Sequence, residues 1–249
     1  MPVRVIFLLA LLLSGAVWPA IADDDAADLR DHLASEYPDF PVDSIETTPL
    51  DGIYEVVSGA DVMYISADGR YMLRGEMLDL VESRNLTADV QSRLRHSRVA
   101  ELGEDNMVVY EPADGEVNHV VTVFTDTTCG YCRQLHEEML DAIDEDGIKL
   151  RYLMFPRAGV TSAAADTLRA IWCADDPQAA MTAAKRGEDV PAHPEACDPP
   201  VASQFEAARA IGVSGTPYLL LGDDGPTFAG YRPREQLLDM LEASMNTTP

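Results

Sequence analysis

Two kinds of hydrophobic pattern divide the chain. In the first half Ala26, Leu29 and Leu33 recur at helical spacing, which predicts a short amphipathic helix over 25–37, ended by the region of Pro38 and Pro41. Segments rich in β-branched and aromatic residues follow at 53–57, 62–65 and 71–73, and these read as strands. Asp68-Gly69 between the last two marks a hairpin, because a tight primed turn needs the positive φ that Gly and Asp tolerate. Residues 87–102 then read as a polar helix whose apolar marks are Val90, Leu94 and Val99. That is too few for a core element, so the stretch reads as a linker between domains; the alternative is a fringe helix of one larger domain.

Beyond the linker, strand and helix patterns alternate. A β-branched run at 119–124 is followed, after Thr127-Thr128, by a helical stretch carrying Leu135, Met139, Leu140 and Ile143. A strand is predicted at 148–155, helices at 163–174, 178–186 and 201–211, a strand at 218–221 and a last helix at 234–244. Alternation of this kind points to an α/β domain. A chain of 249 residues suits two compact units, and an apolar content of 47% sustains a core in each. The expected class is therefore α+β with two domains.

Charge narrows the partners. Lys and Arg number 18 against 43 Asp and Glu, a formal charge of −25 spread along the whole chain. Such a field repels phosphate backbones and anionic headgroups, so nucleic acid is not an expected partner. The N-terminus changes the compartment: Arg4, the apolar run 5–13 and Ala20-Ile21-Ala22 before Asp23 have the layout of a secretory signal. The apolar run is about half of the ~20 residues that a spanning helix needs. The expectation is an exported protein with its leader (1–22) removed near Ala22 and no membrane insertion; an uncleaved anchor is the alternative.

Export bears on the four cysteines, since disulfides persist in oxidising compartments. Cys129 and Cys132 are three apart where a strand gives way to a helix, within reach of one another on one face. At a helix start Cys129 meets unpaired N–H groups and the positive end of the dipole, which favour a thiolate nucleophile, while Cys132 lies a turn deeper, placed to resolve a mixed disulfide. Thr127 or Thr128 is the expected cap, Gly130-Tyr131 the expected point of substrate approach beside an aromatic surface, and Arg133 an added positive charge; Asp126 opposes ionisation if it points at the sulfur. An ordinary buttressing disulfide is the alternative. Cys173 follows Trp172 on an apolar helix face and Cys197 lies in a loop. A bond between them would close a loop of about 25 residues and stabilise by roughly 3 kcal/mol. A structural disulfide is expected, against a second catalytic pair, because neither sits in a Cys-X-X-Cys helix start. A zinc site drawing on His136 and His193 lacks the paired ligand spacing, so no metal is expected.

The stretch Phe124-Thr125-Asp126-Thr127-Thr128-Cys129-Gly130-Tyr131-Cys132, with Leu135-His136-Glu137, Arg151-Tyr152-Leu153, Phe155-Pro156-Arg157, Ile171-Trp172-Cys173-Ala174 and Gly212-Val213-Ser214-Gly215-Thr216-Pro217, resembles the DsbC family of bacterial periplasmic disulfide isomerases. Tyr64-Ile65, Asp68-Gly69 and Gly75 fit the small N-terminal domain of that family. The resemblance implies a cystatin-like dimerisation domain over 23–85, a linker helix over 86–106, and a thioredoxin-like catalytic domain over 107–249 with a helical insertion, assembled as a V-shaped homodimer. It also implies a cis bond at Thr216-Pro217 facing the cysteines, which would leave the Thr216 backbone free to pair with an extended substrate; on base rates alone the bond would be trans.

The expected activity is rearrangement of incorrect disulfides in exported proteins, with no cofactor beyond a redox-active Cys129-Cys132 pair. A membrane thiol reductase that keeps the pair reduced is an expected partner. An oxidase or sulfenic-acid reductase of the same fold, or a non-catalytic exported binding module, are the alternatives. Direction of exchange depends on reduction potential and redox partner, which residue patterns do not fix.

Overall fold

The computed structural model describes residues 22–191 and 197–245. Residues 1–21 of the expected leader (1–22) and His193 lie outside the described residues. The first unit begins with α1 (Ala22–Glu36), a little earlier than its apolar spacing suggests, followed by β1 (Ser44–Thr47), β2 (Ile53–Ser58), β3 (Asp61–Ser66) and β4 (Met72–Leu73). These form an antiparallel sheet in the order β1-β2-β3-β4. Alternation along its strands sorts the side chains: Tyr54, Val56, Met63 and Ile65 face Leu29 and Leu33 of α1, whereas Val57, Val62 and Tyr64 face the other way. A two-stranded ribbon of β5 (Leu78–Asp79) and β6 (Arg84–Asn85) follows.

The β3–β4 hairpin exists, but not as a two-residue primed turn. Five residues, 67–71, connect the strands, and Gly69 alone among them has positive φ. Asp68 Oδ1 accepts from Ser66 Oγ and the Arg70 N–H, so its side chain shapes the turn. A Cβ at Gly69 would collide with the His32 ring of α1, so glycine is required there twice over.

The helix α2 (Leu86–Leu102), read as a linker between domains, packs against both units. Asn85 caps it by accepting from the Ala88 N–H. Val90, with Leu94 beside it, closes the second face of the N-terminal sheet. Val99 joins the core of the second unit. Burying each valine contributes about 2 kcal/mol. Between them the contacts are polar: Ser92 Oγ and His96 Nε2 donate to the Gly225 carbonyl, and Arg95 donates to the Ile211 carbonyl and Thr227 Oγ1. Hydropathy alone missed this docking because the residues that make it are hydrophilic.

The second unit is built on β7 (Val108–Tyr110), β8 (His119–Thr125), β9 (Ile148–Met154), β10 (Tyr218–Leu221) and β11 (Thr227–Ala229), in the order β11-β10-β8-β9-β7. β8 and β9 are parallel and the other pairs antiparallel. Its helices are α3 (Gly130–Asp146), α4 (Ala163–Trp172), α5 (Pro177–Arg186), α6 (Val201–Ala210) and α7 (Arg234–Met245). Val121 and Val123, Leu150, Tyr152 and Met154, and Leu219 and Leu221 point to one face, under α3, α4, α5 and α7. Phe124, Leu153, Tyr218 and Leu220 point to the other, with Val99, Ala208 and Ile211. Leu135, Met139, Ala142 and Ile143 give α3 the apolar stripe that fits this sheet. Cys173, just after α4, is bonded to Cys197 with the Cα atoms 5.9 Å apart, so a covalent ring encloses α5. Among the described residues no helix is long and apolar enough to cross a membrane.

Candidate active site

Parallel pairing of β8 with β9 ends at Thr125 and Met154, and the chain turns there into α3. This brings Cys129 and Cys132 to the strand end, next to the cis Thr216-Pro217 bond that precedes β10. Both cysteines are free thiols and buried, while Gly130 and Tyr131 between them are exposed.

The cap of α3 is Cys129 itself. Its Sγ accepts the Cys132 N–H at 3.4 Å. Thr128, expected as a cap, is diverted: its N–H and hydroxyl both donate to Asp126 Oδ1 at 2.7 Å. The other carboxylate oxygen of Asp126 accepts the Arg157 N–H at 2.8 Å and faces its guanidinium at 3.4 Å. Burial works against ionisation of Asp126, but these hydrogen bonds outweigh it and hold the carboxyl below its usual range. Its charge is thus spent on Thr128 and Arg157 rather than aimed at the sulfur.

The two sulfurs are driven apart. Burial opposes ionisation of Cys129, yet the Cys132 N–H, the neighbouring Cys132 and Thr216 side chains and the Arg157 guanidinium prevail, and its pKa falls below that of an ordinary thiol. For Cys132 burial prevails and raises the pKa, against the pull of Lys185, Thr216 and Asp126. Arg133 Nε donates to the Thr127 carbonyl at 2.7 Å, and Arg157, a residue not singled out for this role, is among the groups that favour the Cys129 thiolate. Arg157 stands in the quoted Phe155-Pro156-Arg157 motif, but its link to the site runs through a fold contact with Asp126 that spacing does not reveal.

Thr216 lies beside Cys129 across the site. The Cys129 thiol donates to its carbonyl at 3.3 Å, a bond that ionisation of the sulfur removes. Its Oγ1 is buried and has no hydrogen-bond partner among the described residues, so the hydroxyl is available to a sulfur that becomes charged. Around Tyr131 the surface is aromatic: the ring, 63% exposed, stacks on Tyr231, a residue the sequence reading missed.

Behind the cysteines lies a buried polar layer. His136, fully buried, shares hydrogen bonds with Tyr152 Oη at 2.9 Å and Thr182 Oγ1 at 3.1 Å, and burial, aided by Lys185, pushes its pKa down to about 4. It is a neutral core histidine. Among the described residues no group of three or more His, Cys, Asp or Glu is placed to hold a metal ion. Lys185 of α5 is buried beside Thr125, to whose hydroxyl it donates. The signal for it was available: Lys185 follows Met181 by one helical turn, on the buried face of α5 with Ala184.

Comparison with known proteins gives the chain a family. A family model described as the disulfide bond isomerase protein N-terminal domain matches residues 20–88, and one described as a thioredoxin-like domain matches residues 109–244. The thiol:disulfide interchange protein DsbC of Dickeya dadantii is 37% identical over 80% of each chain. That of Salmonella typhimurium is 36% identical over 97% of each. A solved disulfide interchange protein from Neisseria gonorrhoeae is 27% identical, with a TM-score of 0.47 over 57% of this chain and 97% of the other. A dithiol with opposed ionisation, set at a helix start beside a cis-proline, thus occurs in a chain that belongs to the DsbC family of thiol:disulfide interchange proteins.

Proposed function

We propose that this protein rearranges mispaired disulfides of exported proteins with Cys129 as the attacking sulfur and Cys132 as the resolving sulfur. The observation that carries the assignment is the geometry at the start of α3: Cys129 Sγ caps the helix and accepts the Cys132 N–H at 3.4 Å, while Cys132 lies inside the first turn, an arrangement that favours the thiolate at Cys129 and the thiol at Cys132. The Cys129 thiolate attacks one sulfur of a wrong disulfide; that S–S bond breaks, a mixed disulfide forms and the other substrate sulfur leaves as a thiolate. A different substrate thiolate then displaces Cys129, and the substrate is re-paired without net oxidation. Otherwise Cys132 attacks, closing a Cys129–Cys132 bond and releasing reduced substrate. A membrane thiol reductase then restores the dithiol, and the pair needs no further cofactor.

Gly130 and Tyr131 offer an exposed approach for substrate, and Thr216 and Pro217 a backbone edge for an extended segment. Cys173–Cys197 acts as a structural bond. Assembly is a homodimer through residues 23–85, supported by the edge strand β4 with exposed Met72 and Leu73 and by exposed Tyr71 just before it, an unpaired strand edge being a template for a second chain. Leu80 and Val81, at the tip of the β5–β6 ribbon, add exposed apolar surface. The site of action is the periplasm, after cleavage near Ala22.

A refolding assay on a scrambled protein, started with reduced enzyme, tests this reading. Cys129→Ser should abolish both unscrambling and exchange with small disulfides, whereas Cys132→Ser should accumulate trapped mixed disulfides. Unscrambling that survives in Cys129→Ser would overturn the assignment.

A further inference from the structure

Lys185 is a buried amine for which the reaction above has no task. It is 2% exposed, donates to Thr125 Oγ1 and, at 3.4 Å, to the Asp126 carbonyl, and stands 5.4 Å from the centre of the Tyr152 ring. Both hydrogen-bond partners are uncharged. An uncompensated cation in a protein interior costs several kcal/mol, which an apolar residue on the same helix face would avoid. Such a cation therefore needs an anion that exists at some stage of the cycle.

The charged and titratable groups around it come from three elements. From β8 and its end comes Asp126, whose carboxylate is engaged by Thr128 and Arg157. From α3 come Cys129, Cys132, Arg133 and His136, and His136 is neutral above about pH 4. From β9 comes Tyr152, fully buried with its phenol held well above the ordinary range by burial, and so neutral. Arg186 on α5 itself is exposed and paired with Glu137. Burial draws the Lys185 pKa down to about 8, and of the groups that oppose this shift Cys132 acts most strongly, ahead of Asp126 and Cys129. The relation is mutual, since Lys185 leads the influences that favour the Cys132 thiolate.

We propose that Lys185 is a positioning residue of the resolving step: its buried ammonium is anchored on the Asp126 carbonyl that also accepts the Cys129 N–H, and from there it stabilises the thiolate with which Cys132 attacks the mixed disulfide. The proposal rests on Cys132 being the resolving sulfur. At low pH the pair holds an ammonium and a thiol. Loss of one proton to solvent leaves a single proton shared by the pair, and the reactive form is the one that keeps it on the amine, with Cys132 as the thiolate. The Cys132 thiolate then attacks Cys129 Sγ, the bond between Cys129 and the substrate breaks, the Cys129–Cys132 bond forms, and the substrate sulfur leaves as a thiolate that takes a proton from water. Two electrons pass from the dithiol to the substrate disulfide, so no other reductant enters. Because the ammonium and the thiol titrate as a unit, release should rise with pH through a midpoint that belongs to the pair.

The test uses the full chain and a disulfide-linked fluorescent peptide as probe, with attack and release followed as separate phases in rapid mixing across pH. Lys185→Met is expected to slow release about tenfold or more at neutral pH and to move its midpoint up by about one pH unit or more, with the loss concentrated in release rather than attack. A packing role alone would slow both phases together and leave the midpoint in place, and that result would overturn the proposal. Titration of Cys132 by thiolate absorbance in Cys129→Ser protein, with and without Lys185→Gln, supplies an independent reading that needs no catalysis. A midpoint that does not rise in the double variant equally overturns it. If Cys132→Ser failed to trap mixed disulfides, the resolving assignment itself would fall, an outcome that the absorbance titration separates from failure at Lys185.

Discussion

Tyr131 stacks on Tyr231 with ring centroids 5.8 Å apart and planes inclined by 22°, joining the Cys-X-X-Cys loop to a residue a hundred positions later. Tyr231 is held in turn, donating to Glu138 Oε1 at 2.5 Å and accepting from Gln134 Nε2 at 2.9 Å. A fixed aromatic surface beside the attacking sulfur suits apolar side chains of partly folded clients. An aromatic pair contributes about 0.5–1.5 kcal/mol beyond the area it covers. Tyr231→Ala should therefore raise KM for a peptide disulfide roughly 2- to 10-fold. Steady-state kinetics against a peptide and a small disulfide check this: equal losses on both would mean that the stack serves the fold instead.

The unpartnered hydroxyl of Thr216 makes a second prediction with a clear sign. Thr216→Val removes a donor that favours the Cys129 thiolate, so the sulfur's pKa should rise and its alkylation should need a higher pH. A hydrogen bond to a charged group contributes about 1.5–3 kcal/mol, which corresponds to a shift of about one pH unit or more. Thermal stability should hold or improve, since valine deletes a buried unsatisfied group. Iodoacetamide rates against pH and a melting curve are the two readouts.

His136 links folding to pH. Its folded pKa of about 4 lies below the unfolded value of about 6.5, so the unfolded chain binds the extra proton between these limits. Its contribution is present in full above pH 6.5 and is lost as pH falls toward 4, amounting to about 3 kcal/mol. Urea melts between pH 4 and 8 should show this acid limb in the wild type. In His136→Gln the limb should flatten; an unchanged slope would assign the acid sensitivity to other groups.

The two cysteine pairs should respond differently to reductant. Cys173–Cys197 should survive mild reduction that opens an oxidised Cys129–Cys132 pair, because a structural disulfide has the lower potential. Peptide mapping after stepwise reduction distinguishes them. Replacing Cys173 and Cys197 together by Ala should lower stability by about 2–5 kcal/mol. Denaturant melts at constant slope would register that loss.

The elements easiest to read from the sequence were those whose own residues decide them. The alternating run of β8, the apolar stripe of α3 and the punctuated helices α4 to α7 lie within a few residues of their predicted positions. β7 and β11 were missed because each has only three residues and exists by pairing, β7 with the distant β9 and β11 with the preceding β10. The Cys129–Cys132 spacing announced thiol chemistry, but the groups that tune it are set by tertiary contacts. Arg157 acts on the sulfur from its anchorage on Asp126 while Arg133 is drawn to the Thr127 carbonyl, and Thr128 yields the cap to Cys129 because Asp126 accepts both of its donors. Lys185 was passed over for a different reason: a lysine in a helix reads as solvent-facing until its neighbours are known.

The bond between Cys173 and Cys197 acquires a further meaning from what it surrounds. The segment it closes includes α5, and α5 carries Lys185 into the interior. Water is the natural destination of an ammonium group, and local fraying of the helix would be its way out. A crosslink at the ends of the segment shortens every such excursion, so the covalent ring acts as a tether on a charge rather than only as a brace on the fold. Cleaving it would then be felt at the catalytic sulfurs, although neither of its own sulfurs takes part in the exchange.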